Sequence, residues 1–209
     1  MEKKVNYNFL FYFIIFLQLL NSGCKDTSIG TKDSQNTPEN DSITYWLSEE
    51  NSSSDEDYSK NLSKAYDLAL QEKNDSLKSK HFSRLSYYYS LIGDSLRFRL
   101  SNNMALSLSE KIRDSNALAN NHWDLASFME DNAVKDSAYY HYTQAEKIFK
   151  SLKDGYSTAR VLYSLARVQS DIKDYTASEV TTIEAIELFK PLDKYYQLFL
   201  CYNNLGSVT

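Results

Sequence analysis

Four alanines set the frame for this chain. Ala65, Ala105, Ala145 and Ala185 recur every 40 residues, and Leu68, Leu108, Ile148 and Leu188 keep the same interval three positions later. A second register, offset by half a period, reads Leu85-Ser86, Leu125-Ala126, Leu165-Ala166 and Leu205-Gly206. A single globular core has no reason to repeat at a fixed distance along the sequence. A period in this range, with two interleaved sets of one large and one small residue, points to stacked helical hairpins whose neighbours cover each other's apolar faces. Such an array offers an extended surface, which suits binding better than bond-making.

Composition agrees with helices. The 209 residues include only 2 prolines and 5 glycines, so little interrupts a helix. The 17 tyrosines are large amphipathic rings, suited to inter-helix seams and to a concave face. The formal charge of −5 is spread along the chain without the basic stripe that nucleic acid calls for, so no nucleic-acid partner is expected for this segment. Cys201 falls at an apolar helix position, where a thiol acts as a small hydrophobe. Pairing with Cys24 is not expected, and no Cys/His spacing suggests a metal.

The N-terminus reads as an address. Lys3 and Lys4, an apolar run from Phe9 to Leu20 and the closing Asn21-Ser22-Gly23-Cys24 form a targeting segment over residues 1–24. The run is too short for a membrane-spanning helix, which needs roughly 20 residues, and fits a secretory signal peptide. Small residues just before Cys24 resemble the lipobox of bacterial lipoproteins, although Asn21 stands where that motif prefers Leu. The resemblance implies that Cys24 is lipidated and becomes the new N-terminus; ordinary signal cleavage and an uncleaved anchor are the alternatives. Residues 25–41 are rich in Ser, Thr, Asn, Asp and Lys, too polar to offset the entropy of ordering, and read as a flexible tether.

Asp-Ser pairs at Asp75-Ser76, Asp94-Ser95, Asp114-Ser115 and Asp136-Ser137 lie 19 to 22 residues apart, about half the period, and Asp154 and Asp174 continue the beat. Both side chains accept from the free N–H groups of a first helical turn, so each pair is expected to start a helix. Between the starts the spacing is helical. His122, Leu125, Ala126 and Met129 fall at i, i+3, i+4 and i+7, and Ala138, Tyr142 and Ala145 share one face of the next helix. Leu162, Leu165 and Ala166, then Ser178, Thr182 and Ala185, repeat the pattern. The first helix of each pair (helix A) carries large-large-small, and the second (helix B) supplies the small residue that lets helix A come close.

This arrangement resembles the tetratricopeptide repeat (TPR). Ala126, Ala138 and Ala145 match the family's small positions, Tyr142 its aromatic position in helix B, and Leu205-Gly206 its Leu-Gly pair. The unit has 40 residues rather than 34, Phe98 replaces a small residue, and Lys150 and Lys190 stand where a terminal proline is usual. The resemblance implies an all-α, TPR-like α-solenoid of antiparallel helix pairs, in units 42–74, 75–114, 115–154, 155–193 and an incomplete 194–209. Residues 42–49 would form the first helix A and 57–73 its helix B. The beat is cut off at Thr209, inside a helix A and without a polar capping helix, so the chain is expected to be part of a longer protein.

No catalytic constellation, cofactor or metal is expected. His81, His122 and His141 fall in separate helices without ligand spacing, and the glycines form no phosphate-binding pattern. In TPR proteins helix A lines the groove, and the matching positions here include Tyr87, Trp123, Arg160, Tyr163 and Arg167. Aromatic rings and arginine are the usual hot-spot residues. The resemblance therefore implies a mixed aromatic and cationic strip that takes an extended peptide or an acidic terminus; the alternative is that the rings pack against the neighbouring helix A. Signal peptide, tether and long-period repeats together resemble the N-terminal sensor part of bacterial TPR histidine kinases and regulators. The expectation is an exported, membrane-anchored, non-enzymatic scaffold in the cell envelope, facing the periplasm or the surface, that binds a protein or peptide in signal transduction. An outer-membrane assembly or uptake lipoprotein, and the non-catalytic part of a larger enzyme, stay open.

Overall fold

One helix and one turn together take 20 residues, and the fold is this unit repeated. A computed structural model describes residues 38–47 and 54–208. The helices are α1 (Pro38–Leu47), α2 (Asp55–Gln71), α3 (Asp75–Leu91), α4 (Ser95–Ile112), α5 (Ser115–Asp131), α6 (Lys135–Ser151), α7 (Gly155–Asp171), α8 (Tyr175–Phe189), a 3-10 turn over Lys190–Leu192, and α9 (Tyr195–Val208). Among the described residues there is no strand. Cys24 and the rest of the targeting segment lie outside them. Helix α1 opens at Pro38 and so takes in residues 38–41, which composition assigned to the tether. Proline at the first helical position gives up only an N–H that has no partner there.

Helices α1 and α2, α3 and α4, α5 and α6, and α7 and α8 pair in sequence, each pair packs on the next, and α9 closes against α8 and α7. The protein is an all-α solenoid of antiparallel helix pairs with a 40-residue period. Odd-numbered helices are the A helices and even-numbered ones the B helices. Helices α3, α5, α6 and α7 are each 17 residues long, about 25 Å at 1.5 Å per residue.

Every turn from α3 onward uses the same device. Gly93, Arg113, Ala133, Lys153, Lys173 and Asp193 all have left-handed backbone, with φ between 51° and 73°. The Arg113 N–H donates to the Glu110 carbonyl at 3.1 Å and the Asp114 N–H to the Ser109 carbonyl at 2.9 Å, and the same two-bond closure recurs after α3, α5, α6 and α7. This Schellman pattern satisfies carbonyls that a helix end leaves free. The next residue then caps the following helix. Asp94, Asp114, Asp154 and Asp174 each accept from the backbone N–H three residues on, at 2.9 to 3.1 Å.

Two of the expected starts are displaced. Asp75 is the first residue inside α3, whose cap is Asn74, and Asp136 is the second residue of α6, whose cap position is Val134 with no side-chain bond.

The alanine beat marks the seams. Ala65, Ala105, Ala145 and Ala185 are fully buried, as are Ala126 and Ala166, whereas Leu68, Ile148 and Leu188 are half-buried. A methyl group at these positions lets two helix backbones approach; a longer side chain would overpack the seam. Between the second and third units, 75–114 and 115–154, the interior turns polar. The Ser79 and Ser109 hydroxyls lie 3.0 Å apart, Asn121 donates to Ser109 Oγ at 3.1 Å, Ser83 donates to Asn121 Oδ1 at 2.8 Å, and Asn102 donates to the Asn121 carbonyl at 3.1 Å. One period later, Ser79, Ser109 and Asn121 are replaced by Ala119, Phe149 and Val161, all fully buried.

The turn between α5 and α6 combines the two weakest choices in the series, a β-carbon at a left-handed position and an absent cap. Ala133→Gly is expected to relieve part of a strain of about 1–2 kcal/mol, and Val134→Asp to add a cap bond worth about 1 kcal/mol. The double variant should melt roughly 2–6 °C higher by circular dichroism. A melting temperature at or below that of the parent would mean that this turn is not the strained one.

Candidate binding site

The A helices carry the candidate residues, and the register decides which of them meet. Trp123 of α5 is half-buried, set edge-on to Phe149 of α6 with ring centroids 6.3 Å apart. Arg160 of α7 lays its guanidinium 4.0 Å from the centre of the Trp123 ring, a cation–π contact across the A helices. Two turns further along, Arg167 Nη2 lies 2.9 Å from Glu130 Oε1. Glu130 is buried, and its other oxygen accepts from the Tyr142 hydroxyl at 2.8 Å. Burial and the Glu130 charge push the Tyr142 hydroxyl pKa upward. A buried carboxylate needs such partners, because an unpaired one would be strongly penalised.

These groups frame an open crevice of about 440 Å³ lined by Trp123, Asp124, Glu130, Arg160 and Arg167. Asp124 has an exposed surface, but the surrounding helices thin its hydration and push its carboxyl upward, with the Arg160 charge working the other way. Contact with water across the open mouth keeps this effect short of that of an enclosed acid.

Of the five groove residues expected from the sequence, Trp123, Arg160 and Arg167 meet in this crevice. Tyr163 does not line it. It is half-buried against the α7–α8–α9 core, with Arg167 6.0 Å from its ring. Tyr87 stands apart at the far end of α3, 55% exposed and edge-on to Tyr88. There it lines a second cavity of about 520 Å³ together with Leu91, Phe98, Asp124, Phe128 and Asp131. The strip is therefore two pockets that share Asp124, Ser127 and Asp131. Its cationic character also changes: Arg167 is ion-paired and Arg160 is stacked, while Asp124 and Asp131 make no hydrogen bond or ion pair within the described residues.

The histidines meet despite their separation in sequence. His122 of α5 and His141 of α6 place their Nδ1 atoms 3.0 Å apart with ring centroids 5.2 Å apart. That centroid distance is close to the Nδ1 separation plus two ring radii, so the rings meet nitrogen to nitrogen, one Nδ1 donating and the other accepting as the tautomers set. Burial lowers the pKa of both, and the neighbouring ring helps bring His141 down to about 4. Among the described residues no group of three or more His, Cys, Asp or Glu side chains is placed to hold a metal ion. No helix among them is long and apolar enough to cross a membrane.

No protein-family model matches the chain, and no curated protein is similar to it. Among solved structures, the crystal structure of BtubC (BKLC) from P. vanneervenii is similar, with a TM-score of 0.60 and 21% identity over 83% of this chain and 66% of that one. The likeness is one of fold, an array of paired helices. The chain spans 66% of the length of that neighbour.

The histidine pair gives a pH signature. Both pKa values fall below the ordinary 6.5 on folding, so the unfolded chain binds more protons and stability is lost as pH falls from about 6.5 towards 4. His122→Leu/His141→Thr, which installs the Leu162 and Thr181 found one period later, should remove this contribution. Comparing melting temperatures between pH 7.5 and 4.5 isolates the pair from His81 and Asp124, which both proteins share. A parent–variant difference that stays constant across that range would refute the lowered pKa values of the pair.

Proposed function

We propose that the chain is a helical-repeat scaffold that binds an extended peptide segment of a protein partner along α5 and α7. The observation that supports this is the Trp123–Arg160 stack beside the Glu130–Arg167 pair. It sets an aromatic ring and two arginines on an open crevice, Arg160 stacked on Trp123 and Arg167 held by Glu130, which Tyr142 supports. Pre-set aromatic and arginine side chains bind with little loss of side-chain freedom. Panning a phage-displayed library of random linear peptides on the protein tests the reading. Selected peptides should lose roughly thirtyfold or more in affinity against Arg160→Ala and Trp123→Ala, the size of a hot-spot loss. Arg160 is exposed, so its removal leaves the core intact. Peptides that bind both variants as tightly as the parent would place the site elsewhere.

The same reading carries the scaffold into the cell envelope as a TPR-type lipoprotein. Its support is the sequence pattern over residues 1–24, with Cys24 as the lipidated residue and the polar stretch behind it as spacer. Anchoring by two or more acyl chains is stable where one is marginal. The order of address, tether and repeats favours the sensor or interaction part of a signal-transduction protein. Labelling with a radioactive fatty acid should mark the parent and not Cys24→Ala; equal labelling of both would remove the lipid anchor from the proposal.

A further inference from the structure

The cavity at the end of α3 lacks a positive charge that its counterpart one period later possesses. In the later unit, Asp171 at the C-terminus of α7 is ion-paired with Lys135 at the first position of α6. Subtracting 40 from each number gives Asp131, at the C-terminus of α5, and Ser95, at the first position of α4. The carboxylate is kept and the lysine is replaced by a serine. Asp131 has no ion-pair partner within the described residues, and the volume beside it is the 520 Å³ cavity, which Ser95 itself lines.

Two helix C-termini and two carboxylates face that cavity, against one positive helix end, the N-terminus of α4 at Ser95. The C-termini of α3 and α5 both face it, through Leu91 and Asp131, and a helix C-terminus carries about half a negative charge. A carboxylate in a last helical turn opposes the dipole, so Asp131 adds nothing to helix stability there. Asp124, also without an ion-pair partner, lines the same cavity, and no basic side chain does. The walls are apolar and aromatic. Phe98 stacks on Phe128 with ring centroids 3.9 Å apart, and Tyr87 stands exposed at the mouth. Phe98 is the residue that departs from the small side chain usual at its position in the repeat, and here it forms part of the cavity wall.

We infer that this cavity receives the side chain of a lysine or arginine from a peptide partner, whose ammonium or guanidinium takes the place against Asp131 and Asp124 that Lys135 holds against Asp171. This deepens the groove reading and rests on it: the peptide would run from the Trp123–Arg160 crevice past Asp124 and set a basic side chain into the Tyr87 pocket. The aromatic walls suit the aliphatic stem and the π-face contact of the cation. It also reverses the partner's expected charge, from an acidic terminus to a basic segment.

The same random peptide library tests the idea. Peptides selected on the parent should share a lysine or arginine at one position. Replacing that residue by norleucine or citrulline should weaken binding about tenfold, the size of one charge-assisted hydrogen bond. Asp124→Asn/Asp131→Asn should erase the difference between the basic peptide and its neutral counterpart. Ser95→Lys should weaken the basic peptide alone, because it supplies from within the charge that the partner brings. All three positions lie at the surface or at its edge, and Lys135 already occupies the site equivalent to Ser95, so the variants should melt with the parent. Arg160-dependent peptides with no shared basic residue, or with an acidic one, would overturn this inference and leave the groove reading standing. So would undiminished binding to Ser95→Lys. Failure to select any Arg160-dependent peptide would defeat both.

Discussion

A left-handed residue every 20 positions is the constraint on which the rest of this structure depends. It ends one helix and hands the chain directly to the cap of the next, with no slack between them. Helix length is thereby fixed, and with it the rotation at which each helix presents its side chains. Position plus 40 becomes a spatial rule: a residue and its equivalent occupy corresponding places in successive pairs. The buried alanines, the turns and the pairing of Lys135 with Asp171 all gain their meaning from that rule. Five of the six left-handed residues are not glycine, so the closure bonds and the cap that follows must outweigh the strain of each β-carbon.

Within that frame the interior is varied rather than uniform. The seam between α5 and α6 buries Ala138, Tyr142, Ala145 and Phe149 and is crossed by the polar side-chain contacts of Tyr142 with Glu130 and of His122 with His141. The block around Ser79, Ser109 and Asn121 is polar and hydrogen-bonded. Although Asn102 Oδ1 is buried without a partner, a hydrogen-bonded block tolerates fewer misaligned packings than an apolar one, because sliding one helix would leave its buried donors unpaired. Between α5 and α7 the contact is made by long side chains reaching across, Arg160 onto Trp123 and Arg167 onto Glu130. An open crevice results where other neighbouring helices close up.

The sequence spoke most clearly where chemistry allows one kind of residue. A seam needs a small side chain, so the alanines revealed the period, and a free N–H needs an acceptor, so aspartates revealed four of the starts. The left-handed turns stayed hidden because Arg113, Ala133, Lys153, Lys173 and Asp193 carry no glycine signal. Register placed Trp123, Arg160 and Arg167 on the A helices, where they line one crevice. It could not show that Arg167 is neutralised by Glu130, because a contact between residues 37 positions apart depends on how two A helices lie against each other. For the same reason Tyr163 entered the strip on register and left it on packing. His122 and His141 lie 19 residues apart on antiparallel helices, and no spacing rule joins them. Asp124 repeats nothing, since its equivalents are Arg84 and Ser164, so periodicity gave no reason to single it out.

The tight turns also limit how such a chain can change in length. One residue added inside a helix rotates everything beyond it by about 100°, and the turns of two or three residues from α3 to α8 have no spare backbone to absorb the error. An inserted residue would therefore swing an alanine out of a seam and a charged side chain in. Insertion or deletion of a whole helix-and-turn unit would exchange A for B helices along the rest of the stack. Only a complete pair can be gained or lost with every downstream face preserved. Growth by duplicated pairs is thus the one change of length this architecture readily admits, and later substitutions within a copy, such as serine against lysine at residues 95 and 135, are then free to make one pair differ from the next.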